Sequence, residues 1–269
     1  MKQKINNLTI CYLLYLTLLF LCGSVSGSLY VGLKFVAFLL PFVLGLLFMR
    51  DEEDSRDNYL SVNSEKLKLA LPLVAPTVLT VMLISVLTSL IINLVSGAEN
   101  GVDVGNALVP ALIFHAIIPA IFEEMLFRYL PMRMLRGCSK GAILLVSAIF
   151  FALVHHSFFS FGYAFVAGVI FMAIDLVLDS VIPSILIHFI NNALSVGMLV
   201  YKDNEGFAPA IYALVVILSV LSFAIIIANK KKYKEKFASI FKVEERIPIS
   251  MPIISFALVC VAMAVFSIL

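Results

Sequence analysis

The chain has 269 residues, of which 62% are hydrophobic and 13% charged, with a mean hydropathy of +1.08. Soluble domains carry roughly 45–50% apolar residues, so a soluble globular protein is excluded and a polytopic membrane protein is expected. The 19 basic and 17 acidic residues leave a net charge of +2, too close to balance for a nucleic-acid partner. Cys11, Cys22, Cys138 and Cys260 form no CxxC pair, which argues against both a disulfide framework and a thiolate zinc site.

About 20 apolar residues are needed to cross the hydrocarbon core as a helix. That length predicts an all-α transmembrane helix bundle with nine spans, near residues 8–25, 29–49, 69–96, 107–130, 141–158, 162–181, 183–201, 208–228 and 251–269. Eight spans result if the last is re-entrant or if the first is cleaved as a signal peptide near Gly23 to Gly27. Positive charge in short loops faces the cytoplasm. With the N-terminus inside, the inner segments hold Lys2 and Lys4, then Arg50, Arg56, Lys66 and Lys68, then Arg133, Arg136 and Lys140, and finally the seven basic residues from Lys230 to Arg246. The outer loops hold Lys202 alone, so the C-terminus is expected outside. The acid-and-base block Arg50 to Asp57 reads as a solvated loop. The lysine run Lys230 to Lys236 reads as a topology anchor against anionic lipid. Three regions follow: residues 1–106 with three spans and an inner loop at 50–68, a core at 107–201 built of spans four to seven, and residues 202–269 with two spans and a basic loop at 229–248.

All four histidines, His115, His155, His156 and His188, fall inside apolar spans. Spans four to seven also carry Glu123, Glu124, Arg128, Asp175, Asp179, Asn191 and Asn192, whereas the other spans have only Lys34 as an ionisable group of this kind. A charge at the bilayer centre costs at least about 2.5 kcal/mol, which makes such residues functional-site candidates. Glu124 and Arg128 stand at i, i+4, the spacing of a helical ion pair. Glu123, about 100° around the helix, faces elsewhere and can serve as a general base. A purely structural polar cluster would use Glu124 and Arg128 but would gain nothing from a second carboxylate. His188 and Asn192 share a face at i, i+4 and can aim two N–H groups at one oxygen, as an oxyanion site requires. His155 and His156 point about 100° apart, so one of them is expected to pack. Asp175 and Asp179 are expected at the inner interface.

Counted at about 1.5 Å per residue, Glu123 and His155 lie roughly 20 Å and His188 roughly 13 Å from the inner boundary. Their meeting requires span four to continue as helix past Pro131, with Arg128 submerged and paired.

Read together, Glu123-Glu124-x-x-x-Arg128, Phe151-x-x-x-His155 and His188-x-x-x-Asn192 resemble the three motifs of the CPBP (Abi) family of intramembrane proteases. That family includes type II CAAX prenyl endopeptidases and bacteriocin-processing enzymes. The resemblance runs from about Val109 to Leu199. It implies that Glu123 and His155 activate the attacking water, that His188 and Asn192 stabilise the oxyanion, and that Glu124 and Arg128 hold the base. His115, His156 and Asn191 match no motif position. The expected partners are the lipid bilayer and a prenylated, leader or other membrane-associated peptide, cleaved without a cofactor. A zinc-dependent version would instead recruit Glu123, His155 and His188 as ligands. A non-catalytic scaffold or bacteriocin-immunity protein, and a proton-coupled transporter, are the readings from other classes.

Overall fold

In a computed structural model, residues 1–23, 27–50, 58–96, 107–155, 158–238 and 240–266 are described. Residues 24–26 of the expected cleavage segment, residues 51–57 of the charged loop, and His156 lie outside them. Ten helices contain most of the described chain: α1 (Lys2–Cys22), α2 (Gly27–Phe48), α3 (Ser64–Ser96), α4 (Leu108–Met134), α5 (Lys140–Leu153), α6 (Phe158–Leu178), α7 (Ile182–Val200), α8 (Phe207–Ala228), α9 (Lys230–Phe237) and α10 (Met251–Phe266). No strand occurs among the described residues. The expected all-α architecture is therefore present.

Among the described residues, seven helices, α1 to α4 and α6 to α8, are long and apolar enough to cross a membrane. The fifth and ninth expected spans correspond to α5 and α10, which are shorter apolar helices. With 14 residues, α5 is about 21 Å long at 1.5 Å per residue. It stops one turn before the expected boundary, and the basic run expected as loop contains the helix α9.

The course of α4 is set by its prolines. A proline inside a helix has no N–H and crowds the carbonyl four residues earlier. Pro119 and Pro131 are each preceded by a widened π-turn, Ile113–Ile117 and Met125–Tyr129. The Ile118 N–H reaches back to the Ile113 carbonyl and the Leu130 N–H to the Met125 carbonyl, the five-residue spacing of a π-helix. The helix thus passes Pro131 and runs to Met134, as the depth argument required.

Widening the second turn leaves two carbonyls to be satisfied. Leu126 has lost the Leu130 N–H to Met125, and Phe127 stands four residues before Pro131. Buried carbonyls need partners, and both receive hydroxyls from other helices. The Tyr12 hydroxyl of α1 donates to the Leu126 carbonyl at 3.1 Å, and the Ser147 hydroxyl of α5 donates to that of Phe127.

The chain divides into two compact units. The first comprises Met1–Asp57, Phe122–Gly168 and Phe241–Leu269. Its core is aromatic: the Tyr12 ring stacks on Phe127 and tilts against Phe150, both at 4.8 Å, while Phe38 stacks on Phe122 at 5.5 Å. The segment before α10 closes over the start of α5. A Cβ on Gly141 would stand 2.3 Å from the Lys242 carbonyl oxygen, so only glycine allows the two backbones to approach. There Glu245 accepts hydrogen bonds from the Ser139 N–H, at 2.7 Å, and from the Ser139 hydroxyl. Those bonds hold its carboxyl below the usual range. Burial first, and the Glu245 carboxylate second, push the nearby Cys138 thiol up, away from the reactive thiolate.

The second unit comprises Asn58–Ile121 and Val169–Ile240, and in it α7 packs against α3 and the first π-turn of α4. Asp179 is exposed and Asp175 is fully buried. Its carboxylate accepts from the Ser184 N–H at 3.2 Å and so caps the first turn of α7, where orphan N–H groups and the helix dipole favour an anion. The Tyr233 hydroxyl donates to the Leu69 carbonyl at 3.2 Å, tying α9 to α3.

Ser147→Ala and Tyr12→Phe each strip one carbonyl of the second π-turn of its donor. Each is expected to cost about 1–3 kcal/mol, measured as a lower thermal midpoint in detergent. Unchanged midpoints in both variants would contradict this assignment of partners.

Candidate active site

The first unit contains Glu123, Glu124, Arg128 and His155. Glu123 is half-buried, whereas Glu124 and Arg128 are fully buried. Arg128 Nε lies 3.2 Å from Glu124 Oε2. The helical spacing that suggested this pair from sequence is here one α-turn entering the π-turn. Withdrawing two ions from water costs several kcal/mol each, so such a pair persists only with good geometry and further partners. The Arg128 guanidinium also lies over the Phe151 ring, 4.0 Å from its centroid, close enough for a cation–π contact worth about 2 kcal/mol when desolvated.

Phe151 connects this pair to His155. The two rings meet edge to face at 4.7 Å, and His155 Nδ1 lies 2.7 Å from the Phe151 carbonyl oxygen. A carbonyl only accepts, so Nδ1 carries the proton and Nε2 is the acceptor of the neutral ring. The bond arises because α5 is ending. The His155 backbone N–H bonds to Ala152 instead of Phe151, and the imidazole takes the terminal carbonyl left over. The spacing Phe-x-x-x-His therefore has a physical reason: the same phenylalanine offers a ring face to Arg128 and a carbonyl to His155.

His188 and Asn192 lie on α7 in the second unit. His188 is buried and its ring is 5.7 Å from that of Phe171. Asn192 is half-buried, and its Oδ1 accepts from Nδ2 of the buried Asn191 at 3.3 Å. Tyr12 and Ser147 were missed in the sequence, and Asp175 and Asn191 were noted there without the hydrogen bonds that they make. Tyr12 and Ser147 carry no motif signal, and Asp175 could have been suspected because Ser184, near the start of α7, stands nine residues after it.

Residues 105–194 match the family described as type II CAAX prenyl endopeptidase Rce1-like. This segment carries all three motifs; the chain before residue 105 and after residue 194 lies outside the match. No curated protein and no solved structure matches the chain.

Among the described residues no group of three His, Cys, Asp or Glu side chains is arranged to hold a metal ion. Glu124, a natural replacement base if Glu123 became a ligand, is engaged by Arg128.

Arg128→Ala would leave Glu124 charged and buried without its guanidinium partner. The expected loss is about 3–5 kcal/mol, read as a lower unfolding midpoint. The apolar double variant Glu124→Leu/Arg128→Met is expected to lose less than the single one. An Arg128→Ala protein as stable as the parent would contradict the brace.

Proposed function

We propose that the protein is a multi-pass intramembrane endopeptidase of the cell membrane, with its N-terminus inside and its C-terminus outside. It hydrolyses a peptide bond in a membrane-associated, C-terminal or leader peptide. The observation that carries this reading is the sequence of contacts from the buried Glu124 through Arg128 and Phe151 to the half-buried His155. It links two of the three motifs and fixes the tautomer of an imidazole while leaving Glu123 outside the ion pair.

In the reaction, water attacks the scissile carbonyl carbon and gives its proton to the base formed by Glu123 and His155. With Nδ1 held by Phe151, His155 works through Nε2. N–H groups of His188 and Asn192 stabilise the oxyanion, a contribution of about 10²–10³ in turnover for one such donor. Collapse of the tetrahedral intermediate breaks the C–N bond, and the protonated base returns the proton to the departing amine. Glu124 and Arg128 act through position only. The basic segment between α4 and α5 favours an opening toward the cytoplasm or sideways to lipid.

Glu123→Ala, His155→Ala and His188→Ala are each expected to lower cleavage by at least about 10² while the protein still inserts and folds. Mass spectrometry of peptides from cells carrying the parent or the Glu123→Ala protein reads this directly and reports the substrate. Full processing by Glu123→Ala would sink the mechanism. A cellular phenotype indifferent to all three substitutions would support a scaffold, and stoichiometric zinc lost together with activity would support the metal-dependent version.

A further inference from the structure

We infer that Asn191 is a positioning residue for Asn192. The inference rests on the reading of Asn192 as an oxyanion donor. A carboxamide has an acceptor edge and a donor edge, and only the donor edge stabilises an oxyanion. An asparagine free to turn its amide would present the wrong edge part of the time. Here Asn191 Nδ2 donates to Asn192 Oδ1 at 3.3 Å. The acceptor edge of Asn192 is thereby occupied, and its NH₂ is the edge left for the substrate.

The environment of Asn191 supports this role over simple helix adhesion. The residue is 5% exposed, and among the described residues its own Oδ1 is buried without a hydrogen bond. An amide retained for adhesion between helices would use both edges, because a buried unpaired acceptor is costly. Among the described residues, the side chain of Asn191 spends its one hydrogen bond on its neighbour. The local backbone is fixed as well, since the Ser195 hydroxyl donates to the Asn191 carbonyl at 3.0 Å. Asn191 lies within the segment matching the protease family but at none of the three motif positions.

The test uses the full chain in nanodiscs, labelled with ¹⁵N-asparagine, with the side-chain amide signals of Asn192 assigned by their loss in Asn192→Ala. Asn191→Leu keeps the size and removes the donor, and Asn191→Asp keeps the shape. In Asn191→Leu the Asn192 NH₂ signals are expected to shift and show faster rotation than in the parent. With a fluorogenic farnesylated peptide ending in Cys-Ala-Ala-Xaa as probe, kcat is expected to fall about 10–100-fold at unchanged KM, as when a partner orienting a working ligand is removed. Relative to the parent at the same pH, Asn191→Asp is expected to recover as pH falls, because a protonated carboxyl again donates to Asn192; a merely structural loss would not recover.

Unmoved Asn192 signals in Asn191→Leu would overturn the inference. So would parental turnover in Asn191→Leu beside slow turnover in Asn192→Ala. Parental turnover in Asn192→Ala would instead overturn the oxyanion reading, and the amide signals would then decide the role of Asn191 alone. They also decide it if the peptide is not cleaved. If Asn191→Leu does not fold, Asn192 signals in Asn191→Asp that stay the same from neutral to acidic pH overturn the inference.

Discussion

A guanidinium cannot lose its charge inside a membrane protein, so the fully buried Arg128 must be answered by the residues around it. Glu124 neutralises it at 3.2 Å and the Phe151 ring covers it at 4.0 Å. These two demands pull α4 and α5 into one arrangement. Phe151 is thereby fixed, and its carbonyl in turn sets the orientation and tautomer of His155. An arginine that touches no substrate in this account thus decides how an imidazole is presented.

The arrangement depends on a backbone that would be unstable by itself. Pro131 removes one hydrogen bond of α4, and the π-turn ahead of it displaces another. The hydroxyls of Tyr12 and Ser147 compensate for both. Tyr12 belongs to α1, outside the segment that matches the protease family. The first helix is therefore more than a membrane anchor, since it supplies a donor to the turn that carries Arg128. Pro119, earlier in α4, also has a π-turn before it.

What the sequence made legible was whatever depends on local periodicity. The i, i+4 spacing separated Glu124 from Glu123, and the submerged Arg128 required a helix continuing through Pro131, which is how α4 runs. Apolar length found the helices but overestimated two of them. α5 ends where the His155 side chain replaces a backbone donor, and hydropathy does not register that exchange. The hydroxyls of Tyr12 and Ser147 could not be read because their acceptors lie 114 and 20 residues away, and nothing local distinguishes them from any buried tyrosine or serine. Asp175 was assigned to the interface because a carboxylate near a helix end ordinarily lies there. The capping demand that buries it comes from the next helix. Asn191 matched no motif, and only the direction of its hydrogen bond sets it apart from a packing residue.

The central claim is that two adjacent carboxylates have been given different work: Glu123 as base and Glu124 as brace. Glu123→Gln and Glu124→Gln, compared side by side for unfolding midpoint and for peptide cleavage, test it most directly. The account predicts that Glu123→Gln keeps the parental midpoint and loses cleavage, while Glu124→Gln lowers the midpoint and retains cleavage in the fraction that remains folded. A stable but inactive Glu124→Gln beside an active Glu123→Gln would contradict it.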